Sequence, residues 1–211
     1  MISPSDPLIC FDLGGVLVRI CRSWREGCAA AGIDADRGWS PAEAPEQHRN
    51  IIEAYSVGAL DTPTFFKQLE QTARGVYSAN DFRLIHTAWI GSVYEGVEAL
   101  LDELRSAGLT IACLSNTNAA HWDELITWPA ICRLDHRHAS HLIGLAKPDP
   151  AMYEWFARTL GVDARQIVFF DDLAENVAAA NRCGWDAIQI DYTADTMAQI
   201  RAALKSRSLL G

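Results

Sequence analysis

The sequence has six cysteines, Cys10, Cys21, Cys28, Cys113, Cys132 and Cys183, and no two of them form a CxxC pair. That spacing is the usual mark of a zinc or redox-active thiol site. Cys10 and Cys113 sit instead inside apolar runs, so reduced thiols of a cytosolic protein are expected rather than a disulfide or zinc framework. No apolar run is long enough to cross a bilayer. Met1 to Pro7 lack the basic start and apolar stretch of a signal peptide, and the expected location is cytoplasmic. Positive charge is scarce, with 18 Lys and Arg against 27 Asp and Glu, a net charge of −9. Such a field repels nucleic acid and acidic membrane surfaces, so neither is expected as a partner. An anionic small substrate would need a local cationic group and a bound cation. What the chain does have is 211 residues, 49% of them hydrophobic. That suffices for a core domain with a small second lobe.

Three apolar runs read as buried parallel strands: Leu8-Ile9-Cys10-Phe11, residues 109–114, and Ile167-Val168-Phe169-Phe170. None alternates cleanly, as expected of strands covered on both faces. A fourth, residues 187–190, follows Gly184. Helices are predicted between them over 95–107, from Asp149-Pro150 to Leu160, and over 173–183. This alternation predicts an α/β fold, a Rossmann-like parallel sheet. The stretch from 19 to 90 lacks a convincing buried strand and predicts helices near 22–31, 45–57, 63–74 and 80–90. The expected organisation is therefore a core of 1–18 and 91–211 with a small α-helical cap, 19–90, inserted after the first strand.

The polar residues that follow the strands carry the chemistry. Asp12 follows Phe11, Ser115-Asn116 follow Leu114, and Asp171-Asp172 follow Phe170. Loops at the carboxyl ends of neighbouring parallel strands converge on one crevice. Carboxylates brought there from two strand ends repel one another unless a cation intervenes. Magnesium suits oxygen ligands, waters and phosphate. An isolated Asp after a strand is often no more than a helix cap. Two acidic strand ends and a hydroxyl at a third favour a functional site.

These residues resemble the haloacid dehalogenase (HAD) superfamily. Its first motif is matched by Phe11-Asp12-Leu13-Gly14-Gly15-Val16-Leu17, its second by Cys113-Leu114-Ser115-Asn116. Its lysine is matched in Gly144-Leu145-Ala146-Lys147-Pro148-Asp149, and its acidic motif in Phe169-Phe170-Asp171-Asp172-Leu173-Ala174-Glu175-Asn176. The resemblance implies a magnesium-dependent phosphatase acting on a small phosphorylated metabolite, with Asp12 as nucleophile and an aspartyl-phosphate intermediate. Ser115 and the Asn116 backbone would bind the phosphoryl oxygens, and Lys147 would neutralise charge on Asp12 and the phosphoryl group. Asp12, the Gly14 carbonyl and Asp172 would hold magnesium. Asp171 would hold Lys147 or a metal-bound water, and Asn176 would be auxiliary. The departure is Gly14, where most phosphatases of the superfamily carry a second Asp as general acid. Loss of such an acid typically costs ~10²–10⁴-fold. The Asp-Leu-Gly variant, together with Ser115-Asn116-Thr117-Asn118 and His121, resembles a bacterial branch that includes an α-D-glucose-1-phosphate phosphatase. That implies an activated ester such as a sugar 1-phosphate.

Two other readings stand beside this one: a haloacid dehalogenase, whose chemistry needs no cation, and a non-catalytic phosphate- and metal-binding protein that lost its acid at Gly14. A mutase would depend on the missing Asp. His136, His138 and His141 have a zinc-like spacing, but their segment shows no helix or strand period that would fix them on one face. Trp24 and Trp39 are expected to pack in the lobe, His48 and Arg49 to face solvent, and Ser140 to serve a turn.

Overall fold

Strands without alternation must be covered on both faces, and helices on either side of the sheet meet that demand. The structure, a computed structural model, describes residues 7–211. β1 (Leu8–Phe11) leads into β2 (Val18–Ile20). Four helices follow, α1 (Trp24–Ala30), α2 (Pro45–Ser56), α3 (Thr62–Thr72) and α4 (Ala79–Trp89), and β3 (Ile90–Val93) brings the chain back. The remainder runs α5 (Val97–Ser106), β4 (Thr110–Ser115), α6 (Ala119–Leu125), α7 (Pro129–Cys132), β5 (His136–Ala139), α8 (Ser140–Ile143), α9 (Pro150–Leu160), β6 (Ile167–Asp171), α10 (Ala174–Arg182), β7 (Asp186–Gln189) and α11 (Thr196–Ser206).

The main sheet has the order β5-β4-β1-β6-β7, and every pairing in it is parallel. The fold is therefore α/β, with the chain reversing its direction of winding about β1. Successive side chains divide between two cores. Ile9, Phe11, Ile111, Cys113 and Phe170 pack with Leu100, Leu104 and Ile200 of α5 and α11. Leu8, Cys10, Leu114 and Phe169 pack with Tyr153 and Phe156 of α9 and Ala179 of α10. Burial of this kind stabilises by ~25 cal/mol per Å² of apolar surface, and it anchors all three strand ends that carry polar residues.

α1 to α4 gather around a third core that includes Tyr55, Phe65, Leu69, Tyr77 and Phe82. Their starts are written in the sequence. Asp61 accepts from Thr64 N ahead of Pro63 in α3, and Ser78 with Asp81 forms a capping box on α4. Each helix lies within two residues of its expected position.

Three strands were not expected. β2 and β3 pair antiparallel, Val18 with Val93 and Ile20 with Ile90. The expected boundaries at 18/19 and 90/91 fall inside this two-stranded ribbon, which is too short to show a period. β5 corrects the reading of the histidine segment as neither helix nor strand. It is an edge strand paired only with β4, and edge strands tolerate polar residues such as His136, Arg137 and His138. The His138 ring packs edge-on against Trp155 and Phe156, while His141, on α8, lies beside Trp122. All six cysteines are free. Among the described residues no helix is long and apolar enough to cross a membrane.

Burial, reinforced by the neighbouring His136, pulls His138 down to about 4. In the unfolded chain a histidine takes up its proton near pH 6.5. Between these values the unfolded state binds a proton that the folded state does not, so stability falls as pH falls. His138 Nε2 has no hydrogen-bond partner to lose. His138→Phe should therefore gain about 1 kcal/mol over the wild type between pH 7.5 and pH 5, a figure discounted for partial exposure. Urea unfolding at the two pH values measures this, and parallel pH dependences would refute it.

Candidate active site

Strand register sets the site. Phe11 pairs with Cys113 on one side and Phe170 on the other. Asp12 therefore leaves β1 level with Asp171, and its N–H donates to the Phe170 carbonyl at 2.8 Å. Ser115, buried, ends β4 beside them. Lys147 enters from the loop between α8 and α9. Asn116 fixes that loop with both ends of its amide, accepting from Lys147 N at 2.8 Å and donating to the Lys147 carbonyl at 2.7 Å.

The Lys147 ammonium is wholly buried, 2.7 Å from Asp171 Oδ2 and 3.1 Å from Asp12 Oδ1. Asp171 also accepts from two residues that follow it in the chain. Leu173 N reaches its Oδ1 at 2.9 Å, and Asn176 Nδ2 reaches its two oxygens at 3.0 and 3.1 Å. It is thus saturated as an acceptor and acts as the anchor of Lys147. Asp12 accepts from Leu13 N at 2.7 Å and from Lys147, both at Oδ1. Asp172 Oδ2 is 2.7 Å from Arg22 Nη1.

One oxygen from each of Asp12, Asp171 and Asp172 lies within 4.8 Å of the others. Burial pushes Asp12 up to about 7; Lys147 opposes the shift, and the Asp171 and Asp172 charges add to it. Asp172 is also raised, by burial against the pull of Arg22. Burial works against the Lys147 charge, yet Asp12 and Asp171 outweigh it and hold the ammonium above its ordinary value. Three carboxylates with two cations leave an excess of buried negative charge. The donor set, all hard oxygens, fits a divalent cation such as magnesium. Asn176 Oδ1, buried without a partner, is a further acceptor next to it.

Above the strand ends lies a cavity of about 510 Å³. Leu13, Gly14, Ser115 and Asn116 line it from the sheet, and Trp24, Phe82, Ile85 and Trp89 line it from the helices. Three contacts hold the helices down on the core. Ser140 Oγ donates to the Ser56 carbonyl at 2.6 Å, and Ala120 N donates to Tyr55 Oη at 3.2 Å. The His121 ring stacks on His86 at 3.7 Å, with His121 Nε2 donating to the His86 carbonyl.

The structure brings Asp12, Gly14, Ser115, Asn116, Lys147, Asp171, Asp172 and Asn176 to one place. The Asn116 side chain is committed to the Lys147 backbone, a positioning contact that spacing alone does not reveal. His48, expected in solvent, is half-buried and lines the cavity, which corrects that reading; Arg49 is exposed. Trp24 packs against Trp39, Tyr77 and Phe82 and also reaches the cavity. Sequence reasoning missed Arg22. The signal was present, because Val18, Ile20 and Arg22 continue the two-residue period of β2 and all line the cavity. Arg22 fits because residue 15 is glycine with φ +79: a β-carbon there would overlap Arg22 Nη2 and lie 2.5 Å from Asp172 Oδ2.

The sequence model described as "Hydrolase: haloacid dehalogenase-like hydrolase" matches residues 7–184. The chain belongs to the haloacid dehalogenase-like hydrolase family. A phosphatase of Mycobacterium tuberculosis is 34% identical over 105 residues, 49% of this chain and 48% of that protein. The match thus spans about half the length of that relative. D-ribitol-5-phosphate phosphatase of Bacteroides thetaiotaomicron is 24% identical over 94% of this chain and 98% of its own length. Among solved structures, a HAD family enzyme of Bacteroides thetaiotaomicron in complex with magnesium and inorganic phosphate shares the fold. Its TM-score is 0.76 at 20% identity, over 90% of this chain and 97% of that one.

Removing the buried ammonium should leave the HAD-like strand ends with uncompensated charge. Lys147→Met is expected to lower the unfolding free energy at pH 8 by about 3–5 kcal/mol. The loss should shrink at pH 5, because Asp12 and Asp172, already raised in the folded state, take up protons there that they do not take up when unfolded. Urea unfolding at both pH values checks this; a loss independent of pH would contradict the charge account.

Proposed function

We propose that this HAD-like hydrolase is a magnesium-dependent phosphatase that hydrolyses a small phosphomonoester through an aspartyl phosphate on Asp12. The observation that carries the reading is the excess of carboxylate over ammonium at the strand ends. A dehalogenase attacking carbon with Asp12 would have no need of Asp171 and Asp172 together, whereas a phosphatase uses that charge to retain a cation. The names of the relatives point the same way.

In this reading Asp12, the Gly14 carbonyl and Asp172 hold magnesium. Bound there, the cation lowers the repulsion between the Asp12 carboxylate and an incoming phosphate and offsets charge developing on the phosphoryl oxygens. Asp12 attacks the phosphorus, forming a bond from a carboxylate oxygen as the bond to the leaving oxygen breaks. Leu13 N–H and Lys147 hold the carboxylate in place through Oδ1. Ser115 and the Asn116 backbone N–H bind phosphoryl oxygens, and Lys147 neutralises charge that accumulates there. Water then attacks the acyl phosphate, releasing inorganic phosphate and restoring the carboxylate. Asp171 keeps Lys147 in position and Asn176 keeps Asp171. The core of 1–18 and 91–211 supplies these groups, and residues 19–90 act as a cap that excludes bulk water.

Gly14 has no acid to give the leaving oxygen. This favours esters whose leaving group departs without protonation, and two classes qualify: an anomeric phosphate such as a sugar 1-phosphate, and the phosphate of a phenol.

With magnesium, the purified protein should hydrolyse p-nitrophenyl phosphate, whose leaving group requires no acid. Asp12→Asn should lower kcat by at least ~10³-fold, the scale on which a nucleophile operates. Chelation of divalent metal should abolish turnover and magnesium should restore it. Activity that survives chelation would sink the phosphatase reading in favour of metal-free chemistry on Asp12.

A further inference from the structure

The walls of the cavity above Asp12 have little use for a sugar. The roof is made of Trp24, Ile52, Phe82, Ile85 and Trp89, with Val18 and Ile20 of the ribbon closing one side. Its volume of about 510 Å³ lies in the range that takes ring-sized organic molecules rather than a two- or three-carbon acid. Among the described residues that line it, Arg22 is the only one with a permanent charge; its Nη1 is held by Asp172, and its Nη2 is buried without a partner. A substrate carboxylate would therefore have to share one guanidinium with Asp172. His48, His86 and His121 also line the cavity, and burial lowers the pKa of each, which keeps the walls neutral.

Unpartnered polar atoms on the cap side are few. Arg22 Nη2, Trp24 Nε1 and His48 Nδ1 are buried without hydrogen bonds, and all three belong to lining residues. Three such atoms can serve one or two polar substituents on a ring. A hexose presents several hydroxyls, and each left unpaired costs ~1–3 kcal/mol. Apolar faces of a ring would instead replace water along the aromatic roof.

We propose that the ester accepted here is an aryl phosphate, its aromatic ring seated under Trp24, Phe82 and Trp89. The proposal rests on the phosphatase reading above and narrows its substrate class from the two that Gly14 allows. The phosphoryl group passes from the phenolic oxygen to an Asp12 carboxylate oxygen. The P–O(aryl) bond breaks with its electron pair retained by the phenolate, which takes a proton from water after leaving. Hydrolysis of the acyl phosphate then returns Asp12 and inorganic phosphate. An alkyl chain would fill the same walls but would have to leave as an alkoxide, which residue 14 cannot protonate.

The test is steady-state kinetics with magnesium on 2-naphthyl phosphate, phenyl phosphate, glucose 1-phosphate and phosphoglycolate. The two aryl esters have leaving groups of similar acidity, so their ratio reads the cavity rather than the bond broken. The expected kcat/KM for 2-naphthyl phosphate is about tenfold above phenyl phosphate, from the extra ring buried. It should be at least about a hundredfold above glucose 1-phosphate, given the unpaired hydroxyls. In Ile52→Arg the naphthyl-to-phenyl ratio should fall toward one. Should that variant not fold, 2-naphthol supplies an independent measure: it should inhibit the wild type competitively, and glucose at equal concentration should not. Glucose 1-phosphate or phosphoglycolate turning over as well as 2-naphthyl phosphate would overturn the inference, as would equal turnover of the two aryl esters. In either case magnesium- and Asp12-dependent hydrolysis would leave the phosphatase reading standing. Hydrolysis of none of these esters, nor of p-nitrophenyl phosphate, above the Asp12→Asn background would overturn both.

Discussion

The structure turns on the burial of one ammonium between two carboxylates. Lys147 Nζ sits at the carboxyl edge of a parallel sheet, within hydrogen-bonding reach of Asp12 from β1 and Asp171 from β6. A lysine so placed is stable only beside negative charge, and that charge would be left buried without a counter-ion if the lysine were removed. The surrounding polar groups serve that balance. Asn116 pins the Lys147 backbone from the end of β4, and Asn176 and Leu173 N saturate Asp171. Three strand ends are thereby tied to one charge. Strand register, itself set by buried apolar pairs such as Phe11 with Phe170, delivers the charges to the same level.

The balance is incomplete, and the incompleteness is what makes the edge reactive. Asp172 adds a third carboxylate that Lys147 does not reach, and its direct partner is Arg22, from the chain just past β2. The ribbon that carries the chain out to α1 thus also carries a counter-charge back to the sheet. The Arg22 guanidinium carbon lies over the Tyr192 ring, beyond β7, 3.8 Å from its centre, so the guanidinium spans from the ribbon to the far side of the site. Chain connectivity, charge and cavity wall meet in one side chain. The latch of Ser56, Tyr55 and His86 on Ser140, Ala120 and His121 holds the other side of the helices down.

How much of this was legible in the sequence follows from how local each signal is. The central strands and the flanking helices announce themselves through unbroken apolar runs and through caps such as Asp149-Pro150, which act within a few residues. Asp12, Ser115 and the Asp171-Asp172 pair could be placed at one edge because each follows such a run, whereas Lys147 was placed by the family resemblance alone. The ribbon and β5 could not. Val18–Ile20 is three residues long, and β5 is an edge strand whose polar residues imitate a loop. Arg22 and His48 were missed for different reasons. His48 matters for what the helices fold over, and no local pattern encodes the facing of a helix whose apolar residues serve both its own core and a cavity; the period that leads to Arg22 begins in a strand of only three residues. Asn116 was read for its backbone because its side-chain partner, Lys147, lies 31 residues away.

Gly14 links the charge at the edge to the chemistry above it. A β-carbon at position 14 would sit 3.0 Å from Ile20 Cδ1, so the ribbon packs into the space that a side chain there would claim. A side chain at 14 would need Ile20 to give by a few tenths of an ångström, and an acidic one would add a fourth carboxylate to an edge that already carries more negative charge than Lys147 and Arg22 neutralise. The same residue that leaves the site without an acid therefore allows Ile20 to line the cavity and spares the edge a further charge. Selection on the leaving group then passes from proton donation to fit. An apolar wall can discriminate among rings by area, but it can assist only those leaving groups that are stable as anions. Under the proposed phosphatase reading, the lack of an acidic side chain at position 14 and the apolar walls constrain the substrate in the same direction.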